Sequence, residues 1–134
     1  MAGKIVADTL EHSTAGSIAT NYVVEGSAKA WFNMNETTDA PTFNDSFNFS
    51  SIVDNSPGDK TVAFTSAFSN ANYSVAGSQA NTGTNHTRGS GGFYDSALVT
   101  TSYRYFSCGG SDASSNGFLR DDSKMKQMYV GDLA

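Results

Sequence analysis

Aromatic residues in this chain alternate with small polar ones. Phe43, Phe47 and Phe49 occupy odd positions and are interleaved with Asn44, Ser46, Asn48 and Ser50. A period of two sends successive side chains to opposite faces of an extended strand, whereas a helix of 3.6 residues per turn would scatter them. The same period recurs from Ala28 to Met34, at Val62 and Phe64, from Ala97 to Cys108 and from Met125 to Val130. The rest of the chain offers little to build a helix from. Ser, Thr, Asn and Gly make up 56 of the 134 residues, and there are four Leu. Side chains of the first three compete for backbone hydrogen bonds, and Gly leaves the backbone too free. The 15 Phe and Tyr residues supply most of the large apolar surface, and aromatics suit strands. A chain of this length fits one domain.

The pattern divides the chain into an arm and a body. Residues 1–26 carry no sustained period; the apolar pieces Ile5-Val6 and Tyr22-Val23-Val24 flank a polar stretch. This part reads as an extended arm for attachment or subunit exchange, and residues 27–134 as the folded domain. Trp31 falls on the face opposite Phe32, so its strand is expected to be covered on both sides, the second side by a partner subunit. Ile52 and Val53 break the alternation and suggest a bulge. Asp54-Asn55-Ser56-Pro57-Gly58-Asp59-Lys60 is a turn cluster, read as a hairpin loop of about seven residues. Residues 78–92 and 109–117 read as long exposed loops. Between them, 97–108 reads as one long strand, with Val99, Tyr103 and Tyr105 on one face and Leu98, Arg104 and Phe106 on the other. Phe118-Leu119 begins another strand. The last strand, with Met125, Gln127 and Tyr129 on one face, is ordered only if docked in a sheet. The expectation is an all-β, antiparallel, jelly-roll-like β-sandwich of about 7–8 strands, with no helix longer than a turn.

Several function classes lose ground at this point. The net charge of −5 disfavours nucleic acid, which needs clustered Lys and Arg, and it disfavours anionic lipid surfaces. No apolar run reaches the roughly 20 residues of a membrane span, so no membrane insertion is expected. The first residues lack the apolar core of a signal peptide, which predicts synthesis in a cytoplasm without export by the standard route. Cys108 is alone, and His12 and His86 lack companion ligands, so neither a metal nor another cofactor is expected. There is no Gly-x-Ser-x-Gly and no phosphate-binding Gly-Lys-Ser/Thr, so no catalytic residues are assigned. Asp54, Asp59 and the Asp121-Asp122 pair read as turn formers rather than calcium ligands. The candidate binding surface lies on the loops, at Asn85, His86, Arg88, Tyr94, Asp112 and Asn116, because loops on a rigid scaffold carry such sites. The candidate subunit interface is Ile5, Val6, Ile18, Tyr22 and Trp31.

Four segments occur in a familiar order: Ser27-Ala28-Lys29-Ala30-Trp31-Phe32-Asn33-Met34-Asn35, Asp45-Ser46-Phe47-Asn48-Phe49-Ser50-Ser51-Ile52-Val53-Asp54-Asn55, Gly58-Asp59-Lys60-Thr61-Val62-Ala63-Phe64-Thr65 and Asn70-Ala71-Asn72-Tyr73-Ser74-Val75. Residues 27–77 thereby resemble a module of tail-fibre-like virion structural proteins in tailed bacteriophages of the marine and cyanophage type. Residues 78–134 match no such motif. The resemblance implies a homotrimer in a virion, at the tail rather than the capsid surface. Its partners would be its own copies, other phage virion proteins, and a host-surface polysaccharide or protein. The expected function is a non-enzymatic tail-fibre or receptor-binding protein. A capsid decoration protein is the second reading. A carbohydrate-active enzyme is the third, disfavoured because the carboxylates sit mostly in turns rather than paired across a groove.

Overall fold

The computed structural model describes residues 6–37, 40–80, 88–89, 93–109, 118–119, 121 and 123–134. In chain order the elements are β1 (Thr9–His12), β2 (Gly16–Ala19), α1 (Thr20–Gly26), β3 (Ala28–Asn35), β4 (Thr42–Phe47), β5 (Phe49–Ser56), β6 (Asp59–Phe64), β7 (Ser74–Ala80), β8 (Arg88–Gly89), β9 (Phe93–Val99), β10 (Ser102–Phe106), β11 (Cys108–Gly109), β12 (Phe118–Leu119) and β13 (Lys124–Val130). Two four-stranded antiparallel sheets, ordered β4-β3-β13-β7 and β5-β6-β10-β9, form the body. A small sheet, β12-β11-β8, and the hairpin β1-β2 complete the strands. The all-β sandwich read from the alternation is what the chain forms. β13 docks between β3 and β7.

The core is a lattice of rings contributed by both sheets. Phe32 packs against Phe49 with centroids 5.3 Å apart and against Tyr105 at 6.0 Å. Phe49 also meets Phe64 and Tyr129, and Phe68 stacks on Tyr73 at 4.5 Å. Most of these pairs are tilted or edge-on, the arrangements that ring quadrupoles favour. The Tyr73 hydroxyl lies 3.2 Å from the carbonyls of both Val99 and Ser102, which ties the start of β7 to the β9–β10 turn in the other sheet.

Several local expectations are corrected. The arm is not simply extended: it contains the β1–β2 hairpin and a two-turn helix, α1. Thr20 closes the hairpin onto the helix, donating from its amide to Asp8 O (2.8 Å) and from its hydroxyl to Ala7 O (2.7 Å). Phe43, Phe47 and Phe49 do not share a face. A register shift opposite Asn33/Met34 turns Phe43 inward against Phe32, while Phe47 pairs with Trp31 on the outside. Asn48, at φ 63°, then turns the chain from one sheet to the other. The bulge lies between Phe49 and Ser51 rather than at Ile52-Val53, and it brings Phe49 and Ile52 onto the same inner side. The turn cluster is a tighter hairpin than expected. Ser56 pairs with Asp59, so only Pro57-Gly58 connect the strands, with Gly58 at φ 69°. Pro followed by a left-handed Gly is the signature of a type II turn. Residues 97–108 are not one strand: Thr100-Thr101 turn the chain between β9 and β10. That turn leaves Val99 exposed and Leu98 against the core, so Val99 does not share the face of Tyr103 and Tyr105, which is buried.

Candidate functional site

At one end of the sandwich the inner layer becomes polar. β3 alternates Ala30, Phe32 and Met34 inward, and the next residue in that series is Glu36, fully buried. Tyr105 donates its hydroxyl to Glu36 Oε1 at 2.6 Å, and Ser107 donates to Oε2 at 3.1 Å. On β6 the inward series Phe64, Val62 continues to Lys60, also fully buried. The Lys60 ammonium has three N–H groups and uses them on Asp121 Oδ1 (2.7 Å), Asp54 Oδ1 (2.8 Å) and Ser56 O (3.0 Å). Burial pulls the Lys60 pKa down, but the hydrogen bonds and charges of Asp121 and Asp54 together outweigh it and leave it above the ordinary 10.5. Asp121 also accepts from the Gly58 amide at 2.6 Å. Arg104 forks onto Asp59 with contacts of 2.9 and 2.6 Å, the bidentate geometry that gives an ion pair direction as well as strength. The carboxylates of Asp54, Asp59 and Asp121 are thus engaged with cations of the fold. Among the described residues no three His, Cys, Asp or Glu side chains gather as a metal site.

This network braces the base of the loop region. β11 pairs with β8, Gly109 opposite Arg88, and with β12 on its other side. The stretch 78–92 is thus not one loop, since residues 78–80 belong to β7 and 88–89 form β8; through β11, β8 is tied to β12, which follows the stretch 109–117, at one end of the body. Of the candidate loop residues, Arg88 lies in β8 and Tyr94 in β9. Asn85, His86, Asp112 and Asn116 lie outside the described residues.

A second surface lies on the outer face of the β4-β3-β13-β7 sheet. Phe47 pairs with Trp31, and Trp31 with Met128, so the three form one row straight across three strands. They are 52%, 38% and 45% exposed. In the adjoining row, the side-chain oxygen of Asn33 is hidden yet has no hydrogen-bond partner. The arm adds further apolar surface. Leu10 and Ile18 face each other across the hairpin, both exposed, and Tyr22, Val23 and Val24 are exposed on α1, which buries no residue. Where the arm approaches the body a cleft of about 540 Å³ remains, lined by Val24, Glu25, Lys29, Ser69, Asp132 and Leu133. Of the candidate interface residues, Val6, Ile18, Tyr22 and Trp31 are all on the surface; Ile5 lies outside the described residues.

Glu36, Lys60, Phe47 and Met128 were not singled out from the sequence. Glu36 and Lys60 continue the inward alternation of their strands, and that was the signal that could have found them. Fold and surfaces together define an antiparallel β-sandwich with a braced loop platform at one end and an apolar arm leaving the other. Comparison with protein-family models, with curated proteins and with solved structures gives no match in any of the three.

Proposed function

We propose that the chain is a structural virion protein of a tailed bacteriophage, a trimeric tail-fibre or receptor-binding protein that works by contact rather than catalysis. The observation that carries this reading is the polarity of the molecule. β3 begins where the arm ends and runs to Asn35, and the next residue, Glu36, is held by Ser107 just before β11, so the arm and the β8-β11-β12 platform lie at opposite ends of one strand. A module that must hold a particle and reach outward needs that division. The order of the segments in 27–77, which resembles tail-fibre-like virion proteins, supports the same reading. Weak loop contacts repeated over three subunits would gain strength through multivalency.

Immunogold electron microscopy of the source phage, with antibody against residues 27–134, tests the location. Gold at the tail is expected. Gold spread over the head would replace this reading with capsid decoration, which the exposed apolar arm also suits as a clamp on neighbouring subunits. Deleting residues 1–20 is expected to abolish incorporation while leaving the body folded; particles that still take up the truncated chain would end the attachment role of the arm.

A further inference from the structure

We propose that the outer face of the β4-β3-β13-β7 sheet seats the hairpin-and-helix arm of a second copy of this chain. The inference rests on the assembly part of the reading above, that arm and Trp31 are subunit contacts, and adds which surface meets which.

The arm is closed on itself through Thr20 yet unsupported by its own body. α1 is seven residues long, buries no residue, has no side-chain cap and carries no acidic residue in its first turn or basic residue in its last. A free helix of this length is not stable in water, because nucleation costs more than two turns return. Its apolar side chains and the Leu10–Ile18 pair need a surface, and on its own chain the arm meets a cleft instead.

The sheet face matches the arm in shape and charge. The Phe47–Trp31–Met128 row crosses three strands, roughly 10 Å at the usual spacing, and a four-residue hairpin strand is about 13 Å long. The three side chains are one contiguous exposed strip rather than scattered single residues, which makes the strip a candidate contact surface. Lys126 and Lys124 continue the outer face of β13 on one side of the row and Lys29 that of β3 on the other; Asp45, opposite Asn33 in the adjoining row, is the acidic residue beside them, so the face keeps a positive excess. The arm from residue 6 to 26 holds Asp8, Glu11 and Glu25 and no Lys or Arg. An acidic apolar arm thus faces a basic apolar seat. Because arm and seat are different patches, the contact is heterologous and closes as a ring or a reciprocal exchange. A ring of three is the form compatible with the proposed trimer.

The test uses the full chain in a Cys108→Ser background. Ile18→Cys is placed in one preparation and Met128→Cys in another; the two are mixed at high concentration, allowed to exchange and oxidised. A disulfide-linked heterodimer is expected, together with a blue shift of Trp31 emission as the unmodified chain is concentrated. Glu11→Lys and Lys126→Glu should each weaken association roughly five- to tenfold, as when an ion pair becomes a repulsion. A chain that stays monomeric at every concentration would overturn the proposal. So would a cross-link that forms only when both cysteines sit in one chain. Association untouched by either charge reversal would overturn the seat while leaving a trimer standing. All of these are read on purified protein, so the gold-labelling result bears on location alone.

Discussion

Asn48 holds the chain at the point where it leaves one sheet for the other. Its side chain donates to Lys29 O and Ser66 O, both at 3.1 Å, and accepts from the Ser66 amide at 2.7 Å. Asn tolerates a left-handed backbone better than other residues with a Cβ. Asn48→Ala should therefore cost about 2–4 kcal/mol in urea unfolding, and Asn48→Gly about half of that, since Gly loses the bonds but not the conformation. Equal losses would mean the backbone conformation is unstrained there. Tyr105→Phe removes a donor from a fully buried carboxylate at almost constant volume, and is expected to cost about 1–3 kcal/mol with an unchanged denaturant slope. A neutral result would show that Glu36 is satisfied without it. Neither Asn48 nor Glu36 stood out in the sequence. Asn48 lies inside an unbroken run of alternating residues, and a positive φ leaves no trace in composition. Glu36 kept the alternation, but a carboxylate is normally assigned to solvent, because burying it requires partners that are far away in the chain.

At the level of strands, the sequence was readable wherever alternation ran unbroken. The alternation from Ala28 to Met34, at Val62 and Phe64, and from Met125 to Val130 formed strands as read, although β6 begins earlier, at Asp59, inside the stretch read as a turn. It misled where one residue flips the phase, as at Asn48, at the bulge before Ser51 and at Thr100-Thr101. A period of two cannot reveal its own interruptions, since a one-residue slip exchanges both faces. α1 was missed for a different reason: two turns are too few for a helical period to declare itself. The loop platform was legible as two polar stretches, but their meeting through β8 and β11 depends on long-range pairing. One close approach makes a prediction for β7. A Cβ on Gly77 would lie 2.8 Å from Gln127 Cγ and 2.9 Å from the Lys126 carbonyl oxygen. Gly77→Ala should thus destabilise by about 1–3 kcal/mol, although Gly is normally the weaker strand residue. A gain in melting temperature would mean that β13 can yield there.

For the molecule as a whole, the stability of the core is tied to protons on its tyrosines. Burial pushes the Tyr73 and Tyr103 hydroxyls up to about 12. It raises those of Tyr105 and Tyr129 as well, helped for Tyr105 by the Glu36 charge. A folded-state value raised above the unfolded one contributes stability that is complete below the unfolded pKa and lost as pH rises toward the folded one. The unfolding free energy from urea curves should then be level to about pH 9 and fall above about pH 10, by up to about 1.4 kcal/mol per pH unit for each buried tyrosine, with the midpoint falling alongside. Lys60 adds to the same fall from about pH 10.5 upward, since its raised value has the same sign. A level midpoint through pH 11.5 would mean that these hydroxyls ionise without unfolding the chain, and that the ring lattice is looser than described.

The position of β13 has a consequence for how the fold is reached. β13 supplies the middle of a sheet whose other strands come from much earlier in the chain, with Met125 opposite Met34 and Gln79. Until that pairing forms, β3 and β7 have no shared neighbour and Trp31 and Phe32 lack one cross-strand flank. Contacts so distant in sequence require a large loop to close before they return any energy, which places acquisition of the native state on the slow, millisecond-to-second side of small-domain folding. During that interval the unpaired β3 and β7 edges are open to strands of other chains, so the central place of β13 makes refolding yield depend on chain concentration.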